Sequence, residues 1–139
     1  MPTIVEKDGR VELIIGASGG SRIITSVAQA MFDVLDYDMD VWQAVADKRA
    51  HHQLFPNMVV LEDGFDEGWA KGFEKRNHTV SNGGQIPKVD TQNADLRCEQ
   101  VWRLPKGFPS SGVEAVQQLA DGTIKGASDF RKGGQAAGF

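Results

Sequence analysis

The sequence has 139 residues, of which 40% are hydrophobic and 24% charged, a size and composition typical of one globular domain. A formal net charge of -4 provides no basic surface for nucleic acid or an anionic membrane, so neither is an expected partner. The single cysteine, Cys98, excludes an internal disulfide, and no stretch approaches the roughly 18 apolar residues of a membrane span. The first residues lack a basic segment followed by an apolar run, so we expect any targeting signal to lie outside this chain.

The chain is predicted to begin with a β-hairpin. Asp8-Gly9 separates two β-prone runs, Thr3–Val5 and Val11–Ile15, and such a pair favours a tight turn because glycine tolerates positive φ. The run Gly16-Ala17-Ser18-Gly19-Gly20 then ends the second strand. Apolar residues with helical spacing follow it, namely Ile23, Ile24, Val27, Ala28, Met31, Val34 and Leu35. The pattern therefore predicts a strand, a glycine-rich loop and an amphipathic helix.

A second helix is predicted over Met39–Lys48. Asp38 or Asp40 would be its N-cap, because an aspartate oxygen can accept a bond from a free backbone N–H at a helix start. Its buried stripe is expected to consist of Val41, Trp42 and Val45. Two helices in succession therefore precede the next strand.

A strand and a third helix are predicted after the second helix. Met58–Leu61 is a short apolar run typical of a strand. Asp66–Asn77 fits a weaker helix, because two glycines lower its helix propensity. Trp69 and Phe73 would share one face of that helix.

The C-terminal third is predicted to combine a surface insertion with a second hairpin. From Ser81 to Gly112 the sequence loses periodicity and is rich in Gly, Pro, Asn and Asp, which is typical of a surface insertion. Val113–Ala120 and Thr123–Ser128 flank Asp121-Gly122, a second hairpin signal. Hairpins at both ends with helices between them predict a mixed α+β fold, and we expect one partial domain over residues 1–139.

The paired glycines Gly19 and Gly20 are the strongest candidate for a functional site. Consecutive glycines between a strand and a helix let the backbone approach a ligand, beside the positive end of the helix dipole. An anion or a developing oxyanion would be the natural ligand. The alternative, that these glycines form only a tight turn, stays open on local pattern alone.

A nucleotide site is a competing interpretation of the same loop. Gly16–Gly20 after an apolar strand also resembles the phosphate loop of short-chain dehydrogenases. That loop continues to a third glycine, whereas Ser21-Arg22 stands here, and no acidic residue ends a second parallel strand at the expected distance. The sequence therefore disfavours a nucleotide cofactor.

The three histidines are interpreted as structural. His51 and His52 are neighbours in an extended segment, so their side chains point to opposite faces and do not easily chelate one ion. His78 lies at a predicted helix end, where an interaction with the helix dipole is a sufficient role. No metal and no other cofactor is expected.

Other polar residues near the C-terminus give no catalytic pattern. Asp129, Arg131 and Lys132 are interpreted as a charge cluster of the kind that forms weak surface ion pairs. Ser110-Ser111 is interpreted as part of a loop. No Ser-His-Asp or Cys-His arrangement can be assembled from this spacing.

Four stretches, taken in order, resemble the γ-glutamyltransferase (glutathione hydrolase) family, specifically the C-terminal part of its small subunit. They are PTIV with the first hairpin, GASGGSRIIT, HHQ with a proline three residues later, and the ending SDFRKGGQAAGF. The resemblance extends along nearly the whole chain, with poor coverage of residues 81–112. Ser18 and Phe130 stand where that family usually has proline, and neither departure removes a chemical group.

The resemblance implies the N-terminal-nucleophile hydrolase fold, an αββα sandwich of which this chain would be an incomplete C-terminal portion. Autocleavage in that family gives a large and a small subunit and frees a threonine, whose α-amine activates its hydroxyl for attack on a γ-glutamyl amide. Water or an amino acid then accepts the acyl group. By this resemblance the N–H groups of Gly19 and Gly20 would stabilise the oxyanion.

The same resemblance implies partners, location and what is missing. Glutathione or other γ-glutamyl compounds, amino-acid acceptors, and the missing N-terminal part or large subunit are the expected partners. Family members are typically extracellular, membrane-tethered, periplasmic or vacuolar. The nucleophile, the residues that hold the substrate's α-amino and α-carboxyl groups, and a Ser-Ser pair precede the PTIV strand in that family. Thr3 is no substitute, because removal of Met1 would expose Pro2 and leave the threonine without a free amine.

Two expectations follow from that missing part. The chain alone should not hydrolyse glutathione. A sheet cut between neighbouring strands would leave an open edge and an apolar face, so poor solubility or oligomerisation is expected. The alternative is a non-catalytic binding or interaction module that keeps the glycine loop only as a turn.

Overall fold

The structure is a computed structural model that describes residues 2–54, 58–82 and 111–138. Its packing divides the chain into two compact units. The first comprises Met1–Asp47 with Pro109–Phe139, and the second comprises Lys48–Phe108. The expected single partial domain over residues 1–139 stays a prediction.

Seven strands and three α-helices make up the described residues. In chain order they are β1 (Pro2–Lys7), β2 (Arg10–Ser18), α1 (Ile23–Leu35), α2 (Val41–Ala46), β3 (Ala50–His51), β4 (Met58–Leu61), α3 (Glu67–Glu74), β5 (Thr79–Asn82), β6 (Gly112–Gln118) and β7 (Ile124–Ser128). The first unit holds a sheet in the order β1-β2-β6-β7, and the second holds a sheet in the order β3-β4-β5.

Both predicted hairpins are confirmed. Asp8 and Gly9 adopt φ of 53° and 74°, the two consecutive positive values that suit a tight connection between antiparallel β1 and β2. In the second hairpin an Asp121 carboxylate oxygen accepts the N–H of Thr123 at 2.8 Å, and Gly122 has φ of 89°. Strands β6 and β7 pair antiparallel on either side of that turn.

The core of the first unit lies between one face of its sheet and helices α1 and α2. Strand alternation directs every second side chain to this face, and the helices add residues spaced by three or four. The buried apolar residues are Leu13, Ile15, Val27, Ala30, Val34, Val41, Ala44, Val45, Val113, Ala115 and Ala127. Helix α1 therefore packs on the sheet through Val27 and Val34 of the predicted stripe together with Ala30, whereas Ile24, also predicted for the stripe, is 69% exposed.

The prediction for α2 was wrong in two respects. Asp40 is the N-cap, as one of the two predicted alternatives, but the helix ends at Ala46 because Asp47 turns to an extended conformation. Trp42 was expected in the buried stripe and is 52% exposed. Successive residues of an α-helix are rotated by about 100° around its axis. When Val41 and Val45 face the core, Trp42 therefore points towards solvent.

Asp40, the N-cap of α2, is expected to make a pH-dependent contribution to stability. The Lys125 ammonium lies 2.5 Å from one Asp40 oxygen, and this hydrogen bond, followed by that from the Trp42 N–H, lowers the pKa of Asp40 below its ordinary value of 3.8. A carboxylate whose pKa is lower in the folded than in the unfolded protein makes its full contribution to stability at pH values above its unfolded pKa. That contribution is lost as the pH falls through its folded pKa. Asp40→Ala is therefore expected to lower the free energy of unfolding by about 1 kcal/mol at pH 7, and by progressively less below about pH 4.

Urea unfolding at several pH values, followed by circular dichroism, measures this difference. Lys125→Ala is the matched control, since it removes the ion pair and keeps the hydrogen bond that the Trp42 N–H donates to Asp40. It should therefore lose less stability than Asp40→Ala. A loss at Asp40→Ala that stays constant between pH 7 and pH 2.5 would contradict the prediction.

An apolar row crosses the opposite face of the same sheet. Ile4 pairs with Ile14, and Ile14 pairs with Val116, so the three side chains lie side by side across β1, β2 and β6. They are 65%, 41% and 40% exposed. This row supports the expected self-association of the chain, because contiguous exposed apolar surface favours contact with another molecule.

Ile14→Glu is expected to shift the purified chain towards the monomer in size-exclusion chromatography with light scattering, because a charge in the middle of the row opposes its burial. Ile124→Glu is the control, since Ile124 is 68% exposed on β7 and pairs with Gln118 outside the row. An unchanged mass distribution for Ile14→Glu would contradict a role of the row in association.

The second unit packs one helix against its small sheet. β4 pairs antiparallel with β3 and parallel with β5, and α3 lies between β4 and β5 in the chain, as a parallel connection requires. Val59, Leu61 and Ala70 form its buried core, with Phe73 packed against them. The strand Met58–Leu61 was predicted, whereas β3 and β5 were missed.

The third helix is shorter than the predicted Asp66–Asn77. Asp66 is its N-cap and accepts the N–H of Trp69 at 3.0 Å. The helix ends at Glu74, and Asn77 adopts φ of 62°, which a continuing helix does not allow. Phe73 packs on the core, whereas Trp69 is exposed.

The predicted surface insertion lies mostly outside the described residues. Its first two residues belong to β5 and its last residue, Gly112, begins β6, while residues 83–110 are not among those described. The insertion therefore stays a prediction. In the described ranges, no helix has the length and apolarity to cross a bilayer.

Candidate functional site at the glycine-rich loop

The structure places Gly19 and Gly20 at the strand-to-helix junction predicted for them. Gly19 follows Ser18, the last residue of β2, with φ of 137° and ψ of 30°, and Gly20 has φ of 63° and begins a short 3-10 turn that leads into α1. Non-glycine residues rarely adopt such φ values. The stretch from Ser18 to Ser21 is exposed, and a Cβ built on Gly20 meets nothing within 4 Å. The loop backbone is therefore open to a ligand.

The helix start beside this loop is electrostatically suited to an anion. Helix α1 spans 13 residues and carries no acidic residue in its first turn. No side chain caps the start of the 3-10 turn at Gly19 or that of α1 at Arg22. The partial positive charge of the helix start is therefore not offset by a carboxylate of its own first turn.

Both ends of the loop connect to the start of β6. Ser18 pairs with Gly112, the first residue of that strand. The neighbouring residue, Ser111, donates its hydroxyl to the Ser26 hydroxyl in the second turn of α1. Ser111 lies in the loop directly before β6, as interpreted from the sequence, and it is fully buried there, while Ser110 lies outside the described residues.

Asp129 and Arg131 of the expected C-terminal charge cluster form a buried pair, so their interpretation as a weak surface ion pair was wrong, whereas Lys132 is exposed. Asp129 has no solvent exposure, and its carboxylate accepts the backbone N–H of Val113 and that of Arg131, each at 2.9 Å. The Arg131 guanidinium lies 3.2 Å from the same carboxylate, with only 7% of its side chain exposed. It also donates at 2.7 to 3.3 Å to the last carbonyls of α2, those of Val45, Ala46 and Asp47.

The residues after Arg131 lie against the sheet face opposite to the helices. A Cβ on Gly112 would overlap Lys132 Cγ, and a Cβ on Gly134 would overlap Ser128 Oγ. Gly112 and Ser128 belong to the face opposite Val113. Small residues in this C-terminal segment therefore allow close backbone contact with the sheet, and the Lys132 stem lies beside the residue that pairs with Ser18.

The histidines contact neighbouring polar groups and rings in the second unit. His51 is buried in β3 with Nε2 at 2.9 Å from the Gln53 side-chain oxygen, and His52 Nδ1 accepts the N–H of Leu54. The rings of His52 and His78 meet edge to face at 5.4 Å. Within the ranges that the structure describes, no group of three or more His, Cys, Asp or Glu side chains could hold a metal ion. Cys98 lies outside those ranges.

Thr3 lies within β1 and pairs with Ile15 of β2. Its backbone nitrogen belongs to a peptide bond inside a strand. The structure therefore gives this threonine no free amine that could act as its base.

Comparison with known proteins gives consistent matches. The family model described as Gamma-glutamyltranspeptidase matches residues 1–139. Glutathione hydrolase proenzyme 2 of Schizosaccharomyces pombe is 36% identical over 99% of this chain, which spans 19% of that protein.

Solved structures also match the fold. A mutant of the Helicobacter pylori gamma-glutamyltranspeptidase matches with a TM-score of 0.70 and 27% identity, covering 94% of this chain and 60% of that chain. The Pseudomonas nitroreducens gamma-glutamyltranspeptidase complexed with L-DON matches with a TM-score of 0.70 and 26% identity, covering 100% of this chain and 60% of that one. The predicted partial N-terminal-nucleophile hydrolase fold is therefore confirmed, and the chain spans about three fifths of these solved chains.

Proposed function

This chain belongs to the gamma-glutamyltranspeptidase family, and on that basis we propose that it supplies the oxyanion-binding loop for cleavage of γ-glutamyl amides. The observation that carries the proposal is the conformation of Gly19 and Gly20. Two consecutive glycines with positive φ stand exposed between β2 and α1, beside a helix start without an acidic first turn. Successive backbone N–H groups in such a turn form a concave site for negative charge.

In the proposed reaction, a threonine hydroxyl gives its proton to the α-amine of the same threonine and attacks the γ-carbonyl carbon of the substrate, whose carbonyl oxygen becomes an oxyanion. The N–H groups of Gly19 and Gly20 donate to that oxygen, a stabilisation of about 3 kcal/mol for each well-placed donor. Collapse of the tetrahedral intermediate breaks the C–N bond while the α-ammonium protonates the departing amine, and water or an amino acid then cleaves the remaining acyl-enzyme. Because the negative charge develops only during reaction, the loop should raise kcat more than it lowers KM.

We propose that the threonine comes from a part of the family fold outside these 139 residues. Thr3 lies within strand β1 and has no free amine, which supports this assignment. Glutathione and other γ-glutamyl compounds are the proposed donors, and water or amino acids the proposed acceptors.

Two measurements test the proposal. The purified chain is expected to show no turnover of a γ-glutamyl anilide. A chimaera of the Schizosaccharomyces pombe glutathione hydrolase proenzyme 2, in which residues 2–138 of this chain replace the matching segment, is expected to hydrolyse the anilide.

Stoichiometric turnover by the chain alone would contradict the external threonine. A chimaera that folds and matures yet remains inactive would contradict the oxyanion role. It would favour the alternative of a non-catalytic binding module, in particular if the folded chain also binds no γ-glutamyl analogue.

A further inference from the structure

The glycine loop adds no side chain to the core. The 3-10 turn that starts at Gly20 has no buried residue, and no side chain caps its start at Gly19. The orientation of the Gly19 and Gly20 N–H groups therefore depends strongly on how the strand before the loop and the helix after it are held.

The two flanks are held by two adjacent residues, Gly112 for the strand and Ser111 for the helix. Ser18, directly before the loop, pairs through its backbone with Gly112. Ser26, in the second turn of the helix after the loop, hydrogen-bonds through its hydroxyl to Ser111, the neighbour of Gly112. The loop and the first turn of α1 are thereby closed into a ring at the start of β6.

The hydroxyl pair is placed to fix this ring. Ser26 is 2% exposed and Ser111 has no exposure, so water does not compete for their bond. The adjacent contacts of α1 with the sheet are apolar, through residues such as Val27 and Val113, and apolar contacts are not directional. A buried hydrogen bond is directional and gives the helix start a defined position along β6.

We infer that Ser26 and Ser111 are positioning residues for the Gly19–Gly20 loop. Because both hydroxyls are buried, the pair would act on the loop through the backbone of α1 and of the residues that lead into β6. The structural part of this inference stands on the geometry, and its catalytic consequence rests on the proposed oxyanion function.

Hydrogen exchange of the full chain, resolved at the N–H of Ile23, which donates to the Gly20 carbonyl at the end of the loop, tests the structural part. Ser26→Ala and Ser111→Ala are each expected to raise the exchange rate there by about five-fold, the effect of one typical hydrogen bond. Ser26→Thr keeps a hydroxyl and is expected to exchange as the unmodified chain does. Ser128→Ala is the matched control, because Ser128 is a buried serine of the same sheet on its opposite face. Unchanged loop exchange in both alanine variants would overturn the inference.

The double variant S26A/S111A separates positioning from general stabilisation. The second replacement removes a bond that the first has already broken, so the melting temperature should fall by less than the sum of the two single-variant losses. The loop exchange should stay about five-fold raised, because the connection between α1 and β6 is still absent. Recovery of loop protection together with stability would overturn the inference, since it would show a merely structural role.

Kinetics in the chimaera test the catalytic consequence. S26A/S111A is expected to lower kcat for the anilide by about ten-fold with KM unchanged, because a displaced donor weakens only the transition state. Unchanged kcat in this variant, with a large loss for Gly19→Ala, would overturn the inference. Full activity of Gly19→Ala would instead contradict the oxyanion function, and the exchange results would still decide the structural part.

Discussion

Arg131→Ala is expected to lower the free energy of unfolding by about 3–5 kcal/mol, because it leaves the fully buried Asp129 carboxylate without its cationic partner. The same substitution removes the donors to the last carbonyls of α2. Helix ends whose carbonyls lose their donors are destabilised further. Urea unfolding followed by far-UV circular dichroism, which reports the loss of helix, measures this change in the free energy of unfolding.

Arg10→Ala is the matched control. The Arg10 guanidinium also donates to two backbone carbonyls, those of Leu119 and Ala120 at 3.2 Å each, but it is exposed. Its removal should lower the free energy of unfolding by less than about 1 kcal/mol. Equal losses for the two arginines would show that burial of the Asp129–Arg131 pair is not the cause.

Gly19→Ala in the chimaera is expected to lower kcat by about 100-fold to 1000-fold, the effect of removing one oxyanion donor. Alanine rarely adopts the φ of 137° and ψ of 30° that Gly19 has, so the peptide between Gly19 and Gly20 must turn away. KM should change little, because the ground-state carbonyl carries no full negative charge. Steady-state kinetics with a γ-glutamyl anilide gives both constants.

Gly9→Ala controls for backbone strain in that experiment. Gly9 has φ of 74° in the first hairpin turn, and a Cβ there meets nothing within 4 Å. The substitution should cost about 1 kcal/mol of stability without altering kcat. A similar loss of kcat in both variants would attribute the effect to strain and not to the loop.

Features defined by neighbouring residues were predictable from sequence. Asp8-Gly9 and Asp121-Gly122 identify their hairpins because the turn conformation depends on those residues themselves. The Asp40 cap was one of two alternatives for the same local reason. The position of Gly19 and Gly20 between strand and helix was predictable too, since the apolar period changes at that point.

Features defined by distant residues were not predictable. Asp129 is buried because β6 supplies an N–H and Arg131 reaches the end of α2, contacts that a local charge pattern does not reveal. The Ser26–Ser111 bond joins residues 85 positions apart, and neither serine differs from an ordinary polar residue in its own segment. Strand β3 has two residues, too few for any periodicity, and exists through its pairing with β4.

The pairing of β2 with β6 also determines the order in which the first unit can fold during synthesis. Leu13 pairs with Gln117 and Ser18 with Gly112, so this central pairing joins two strands between which the whole second unit lies in the sequence. The contacts of β4, α3 and β5 lie within a short stretch and can form while the ribosome is still translating. The central sheet cannot form until β6 and β7 have left the exit tunnel, and until then the β6 side of β2 is an open strand edge, which favours contact with other nascent chains.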